Sequence, residues 1–186
     1  MHSPYKTGII FCLAWLGIRF GLGQFLEPEI ALKAGIMLNI LFVLMSIFFV
    51  FYFTKRKEGY PETSGVQDLK LALKGGIVYV LFVSIGIYCF YSYIDDSLFV
   101  KKQEAIEIEV AKLSKEEIIE RKNANEATRE LTSEEYITKV KANSKSIANP
   151  KTQTMISALG LTIWCLFASI VCTFIFRKVL FAPKKT

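Results

Sequence analysis

Four long apolar runs, separated by polar connections, dominate the chain: roughly Thr7 to Leu26, Ile30 to Phe53, Gly75 to Ile94 and Met155 to Phe176. Each holds about 20 residues or more, enough at 1.5 Å per residue to cross a hydrocarbon core of about 30 Å. The pattern predicts an all-α integral membrane protein with four transmembrane helices and a helical, extracytoplasmic insert between the third and fourth. Residues 1–94 then hold helices one to three with a connecting loop at 54–74. Residues 95–150 form the insert, and 151–186 the last helix with a basic tail. The first run has Lys6 before it, as a cleaved leader would. It is long, however, and Phe20 to Glu29 contains no small-x-small cleavage site, so it is read as a helix that stays.

Within the connections the pattern changes. VQDLKLALKGG places Val66, Leu69, Leu71 and Leu73 among Lys70 and Lys74, after a turn signalled by Tyr60, Pro61, Thr63, Ser64 and Gly65. It predicts an amphipathic helix lying at the inner membrane surface, with Gly75 and Gly76 as the bend into the third transmembrane helix. The insert contains no proline or glycine from Asp95 to Asn149, and two S/T-x-x-E boxes divide it, Ser114 with Glu117 and Thr132 with Glu135. Phe99, Ile106, Val110 and Leu113 share one helical face, and Tyr136, Ile137 and Val140 a smaller one. The third helix is therefore expected to continue outward, break near Ser114 and return through two shorter helices, as a hairpin packed on itself or a partner-binding arm. Asn149 and Pro150 suit the N-cap and first position of the last helix.

Composition agrees with a membrane setting: 52% of the residues are hydrophobic, and mean hydropathy is +0.36. The net charge of +6 is unevenly placed. Lys55, Arg56, Lys57, Lys70 and Lys74 follow the second run, and Arg177, Lys178, Lys184 and Lys185 follow the fourth, with Glu58, Glu62 and Asp68 opposing them. The connection LEPE is acidic, and Asp95 to Lys151 holds 11 basic against 12 acidic residues. Short basic segments stay in the cytoplasm, which predicts cytoplasmic N- and C-termini, an outer insert, and lipid contact at the inner surface by Lys55, Arg56, Lys57, Lys70 and Lys74. The aromatics lie in or at the ends of the spans rather than among the basic residues, so the charge is no nucleic-acid footprint.

Inside the spans, Gly17 and Gly21 make a G-x-x-x-G pair, facing Ala31 and Gly35 at the start of the second run. These four are the candidate helix-packing residues of a tight hairpin, or of a dimer. Arg19, Lys33 and Asn39 are the candidate polar membrane site. Arg19 lies about 18 Å along the first helix, past the midplane. The general tendency of arginine is to snorkel from there to the outer headgroups. The alternative turns it into the bundle, paired with Glu27 or Glu29 or lining an anion path. Trp15 and Trp164, near mid-helix, are expected to fill the core or face lipid.

Candidate chemistry adds little. The one histidine is His2. Cys12, Cys89, Cys165 and Cys172 all lie in spans, with no C-x-x-C, and no nucleotide, hydrolase or metalloprotease motif occurs. Asp95 and Asp96 read as a cap rather than paired catalytic carboxylates. No cofactor, metal or enzymatic activity is implied. The expected role is that of a structural or accessory membrane subunit contacting the lipid bilayer and a membrane-protein partner or a second copy of itself. A small transporter or channel is the alternative.

In the order of its elements the chain resembles a Bacteroidota family of small four-span integral membrane proteins catalogued as a domain of unknown function. The lead-in VQDLKLALKGG, the span ending YSYID, the LSKEEII segment, and Asn149–Pro150 before a final span ending in FRK carry the resemblance. It implies an inner-membrane location in a Gram-negative cell and no activity. The TRELTSEEYITKV piece makes this insert longer than the family pattern.

Overall fold

A computed structural model describes residues 4–58 and 63–180; His2, Tyr60, Pro61, Glu62, Phe181, Lys184 and Lys185 lie outside the described residues. The described elements are helical: α1 (Pro4–Phe25), α2 (Pro28–Lys57), α3 (Gly65–Tyr93), α4 (Ser97–Lys112), α5 (Lys115–Asn123), α6 (Glu126–Arg129), α7 (Ser133–Ile147) and α8 (Pro150–Ile175), with a π-helical turn at Phe176–Leu180. Four of them are long and apolar enough to cross a membrane, over Tyr5–Phe25, Pro28–Lys57, Gly65–Tyr93 and Pro150–Lys178. This is the build of a multi-pass membrane protein. The chain divides into two compact units, Tyr91–Gln153 and the remainder.

In the first unit, cross-helix contacts fix an up-down-up-down bundle. Trp15 of α1 donates from Nε1 to the carbonyl of Gly35 on α2 at 3.0 Å, and Phe11 meets Phe42, so these helices are antiparallel. Gly8 lies against Val78 and Tyr79, and Gly86 against Cys12 and Leu16, so α1 and α3 run parallel. Ser46 of α2 donates to the carbonyl of Gly75 on α3 at 2.8 Å, and Tyr79 of α3 donates to Asn39 Oδ1 on α2 at 2.6 Å. Trp164 of α8 donates to the carbonyl of Ile40 at 3.2 Å, and Phe176 stacks on Phe51 with ring centroids 4.5 Å apart. Both tryptophans use an indole N–H as a tie to α2. Side chains such as Leu13, Met37, Ile85 and Leu159 stay exposed on the outer faces, as lipid-facing positions do.

The amphipathic lead-in and its bend are corrected by the structure. Helix α3 is a single helix from Gly65, and its buried stripe in this region is Asp68, Ala72, Gly75, Gly76 and Tyr79; Val66 is exposed, and Leu69, Leu71 and Leu73 are half-buried. Gly75 and Gly76 are points of close approach. A Cβ at Gly75 would stand 3.0 Å from the Ser46 carbonyl oxygen, and one at Gly76 would run into Cys165 Sγ and stand 3.0 Å from Ile47 Cγ1. A straight helix with two missing side chains lets α2 and α8 pack against it.

In the second unit the outward continuation of α3 is also corrected. That helix ends at Tyr93, and α4 begins at Ser97, where Asp95 Oδ1 accepts from the Ser97 amide at 3.2 Å and from its hydroxyl at 2.5 Å. A short carboxylate that bonds the backbone two residues on offers the chain a turn in place of another helical residue. Both predicted capping boxes form. Ser114 Oγ accepts from the Glu117 amide and Thr132 Oγ1 from the Glu135 amide, each at 3.2 Å, and each glutamate returns a bond to the cap's own amide. Asn149 Oδ1 caps α8 by accepting from the Thr152 amide at 2.9 Å. The two predicted apolar faces meet: Ile106, Val110 and Leu113 line a cleft of about 170 Å³ opposite Tyr136, Ile137 and Val140. The insert packs on itself, with Gln103 of α4 donating to the Ala148 carbonyl at the end of α7.

Two outcomes follow from these contacts. Gly76→Ala should lower the thermal midpoint in detergent, at a cost of about 1–3 kcal/mol from overpacking, and Cys165→Ala should relieve part of that loss. A glycine serving only as a bend would give the opposite sign, since alanine is the better helix former by about 1 kcal/mol. The second concerns acid. Bonding to the cap amides, and next to the cap hydroxyls, holds the Glu117 and Glu135 carboxyls below the ordinary carboxylate range. Their stabilisation is therefore complete above the unfolded value of about 4.3 and is lost as pH falls through the lower folded value. Amide exchange at Glu117, corrected for its intrinsic rate, should accelerate on acidification in that window, and Glu117→Gln should remove the dependence.

Candidate functional site

The polar residues of the bundle gather at two levels. The first lies in the half of α1 nearer α2's start. Arg19 is fully buried, not turned out to the headgroups, so the snorkelling expectation is corrected. Its guanidinium carbon lies 4.9 Å from the centre of the Phe90 ring, and its stem runs across Gly35. A Cβ on Gly35 would come within 3.2 Å of Arg19 Cδ and 3.8 Å of Trp15 Cζ2. Gly35 thus makes room for an arginine side chain, while Trp15 binds its carbonyl and shields the stem. A cation over an aromatic face in a dry environment gains attraction from the ring quadrupole. The arrangement seats a guanidinium against an aromatic face, with its stem in the space that Gly35 leaves open.

The remaining candidates do not join it as one site. Lys33 is exposed, and so are Glu27 and Glu29. Asn39 is buried one turn further along α2 and accepts from Tyr79. Ala31 is fully buried. Gly17 and Gly21 face open space, with nothing within 4 Å of where a Cβ would stand, so no close contact among the described residues uses them. The tight glycine of α1 is Gly8, whose Cβ would stand 2.7 Å from Val78 Cγ1. The four cysteines are free thiols, Cys12 and Cys165 buried and Cys89 exposed. Among the described residues no cluster of His, Cys, Asp or Glu is built to hold a metal ion.

The second level is one the sequence reading did not assemble. Asp68 in the first turn of α3 accepts from three directions: Lys55 Nζ of α2 at 2.6 Å, Arg177 Nη1 beyond α8 at 2.8 Å, and the Thr63 hydroxyl at 2.5 Å. Arg177 Nη1 also donates to the Thr63 carbonyl at 2.7 Å, and Lys55 also donates to the Thr63 hydroxyl. The Lys55 and Asp68 side chains are each 6% exposed, whereas Arg177 is 45% exposed. One carboxylate therefore fastens the ends of three helices and the linker between two of them. Lys55 is not a surface lysine. Arg56, Lys57, Lys70 and Lys74 are exposed. The signal that could have found the cluster is the helical stripe: Asp68 shares a face with Ala72, Gly75, Gly76 and Tyr79, and an acid on a buried stripe requires a cationic partner.

The roles of the glycines separate experimentally. Gly35→Leu should displace Arg19 and lower the thermal midpoint of the purified protein by several degrees, whereas Gly17→Leu with Gly21→Leu should leave it within about a degree, surface changes being worth about 0.5 kcal/mol or less.

No curated protein and no solved structure matches the chain. A family model described as "Protein of unknown function (DUF4199)" matches residues 6–178, from the start of α1 to the Asp68 cluster's Arg177 and its neighbour Lys178. The match takes in all four apolar helices and the insert, so the chain belongs to the DUF4199 family.

Proposed function

We propose that this chain is a structural or accessory subunit of a membrane assembly, acting through protein–protein contacts in the bilayer. One observation carries the reading: the polar groups of the spans are largely consumed within the bundle, across helices or on their own helix's carbonyls. Trp15, Asn39, Ser46, Tyr79 and Trp164 bond across helices, Ser84, Thr162 and Thr173 bond back to their own carbonyls, and Asp68 holds Lys55 and Arg177. A conduit needs such groups to face a shared aqueous path. A scaffold needs them turned inward, with a separate face left for a partner. The uncovered Gly17 and Gly21 of α1 suit that face, because small residues four apart let another helix approach closely.

The setting is an inner membrane, with the basic ends of α2 and α8 cytoplasmic and the insert outside; the distribution of lysine and arginine supports it. The lipid bilayer and a membrane-protein partner or a second copy of this chain are the contacts expected, with no nucleic acid and no cofactor. A transporter of anions is the second reading, favoured by the burial of Arg19 inside the bundle.

Gentle solubilisation of a tagged chain from its native membrane should bring down a defined membrane protein, and Gly17→Leu with Gly21→Leu should reduce its recovery without lowering the chain's own stability. A lone chain or homo-oligomer whose anion flux in vesicles is abolished by Arg19→Gln would replace this reading with the second. Orientation is checked in cells, on a background with the native cysteines replaced by alanine. Ser133→Cys should react with an impermeant maleimide from outside and Ser64→Cys should not; the reverse would invert the topology.

A further inference from the structure

The Asp68 cluster lies beyond the level at which α1 begins. Gly8 packs on Val78 and Tyr79 of the parallel helix α3, so Pro4 stands level with about residue 74, and Asp68 is a further six residues along, about 9 Å. The 21-residue span of α1 matches a hydrocarbon core of about 30 Å, and headgroups add about 5–8 Å on each side. The cluster thus stands at the outer edge of the headgroup layer, within reach of the phosphates for a long arginine side chain. Around it Arg56, Lys57, Lys70 and Lys178 are exposed cations, with Glu58 the exposed acid among the described residues of these helix ends.

Within the cluster the three charges are unequal. Lys55 and Asp68 are enclosed, but Arg177 is half open to its surroundings and sits in the π-helical turn Phe176–Leu180. A π turn is a rare widening of the helix, and such turns are frequent at functional sites. Both bonds that hold Arg177 use Nη1. If Arg177 leaves, Asp68 keeps Lys55 and the Thr63 hydroxyl, so no buried carboxylate is stranded. If Lys55 left, an ammonium would have to be drawn out of the bundle. Arg177 is the member that can exchange.

We infer that Arg177 exchanges between Asp68 and the phosphate of an anionic lipid headgroup, so that the end of α8 is fastened to the α2–α3 linker in neutral membranes and released in anionic ones. The lipid acts by differential binding. In the fastened state one edge of the guanidinium is committed to Asp68 and Thr63; in the released state the planar fork meets a phosphate in two parallel bonds, with Lys178 beside it. The surrounding cations raise the local concentration of anionic lipid. The inference rests on the membrane reading of the four helices and not on the accessory role, and it stands whether or not a partner protein is recovered.

The test uses the full chain in lipid nanodiscs, with the native cysteines replaced by alanine and spin labels at Val66→Cys and Phe174→Cys, both on exposed positions. In phosphatidylcholine discs one short distance should dominate; adding phosphatidylglycerol should raise a longer-distance population several-fold. Asp68→Asn should show that population in neutral discs, and Arg177→Gln should show it in both lipids without a lipid response. Should Asp68→Asn fail to fold, Arg177→Gln decides alone. Equal distributions in the two lipids, or a lipid response that survives in Arg177→Gln, would overturn the inference. Inorganic phosphate shifting the distances in neutral discs as far as the lipid does would also overturn it, by assigning the site to a soluble anion.

Discussion

A hydrocarbon interior holds no water to satisfy a polar group, and the bundle follows from that constraint. Backbone amides and carbonyls are satisfied within continuous helices, and side chains that cannot be apolar find acceptors on a neighbouring helix. The indole of Trp15 binds α2 through Gly35, the phenol of Tyr79 binds α2 through Asn39, and Ser46 binds α3 through Gly75. In each case a bond that would be worth little in water has no competitor from solvent. Glycines complete the packing, because van der Waals contact is what remains when lipid is as apolar as the helix faces.

The charges obey the same constraint in two ways. Arg19 is placed deep in the bundle, and the protein accommodates it with a missing side chain at Gly35 and the ring of Phe90. Asp68 lies at the end of the bundle, where cations are abundant, and gathers two of them. The insert works under ordinary aqueous rules. Its helices begin at reciprocal caps and carry dense mixed charge, and they bury narrow apolar faces around a small cleft. One chain thus uses two solvents, and the polar side chains have different work in each: cross-helix ties in lipid, helix ends in water.

Periodicity and length made the four spans legible, because about 20 apolar residues have few other uses. The caps at Ser114, Thr132 and Asn149 were legible because their chemistry is local: a side-chain oxygen reaches an amide two or three residues on. What the sequence could not place were contacts that depend on which way a helix is rotated. Gly75 and Gly76 read as a bend in the sequence, and only the positions of Cys165 and Ser46 show them to be points of close approach. Arg19 could snorkel or turn inward, and the space at Gly35 decides that. Lys55 resembled its neighbours Arg56 and Lys57 in sequence, yet its partner lies 13 residues away on another helix. The break at Asp95 was missed because a helix-favouring composition continues through it, while one aspartate makes a competing local bond.

These four helices pack in lipid with α3 pressed against α8. Cross-linking in carbonate-washed membranes tests it most directly, with Gly76→Cys introduced into a chain whose Cys165 is kept and whose other cysteines are alanine. A Cβ at Gly76 lies so near the Cys165 sulfur that oxidation should form an intramolecular disulfide, seen as a mobility shift reversed by reductant. Recovery of the chain in the wash, or failure of the pair to link in the membrane fraction, would contradict the account.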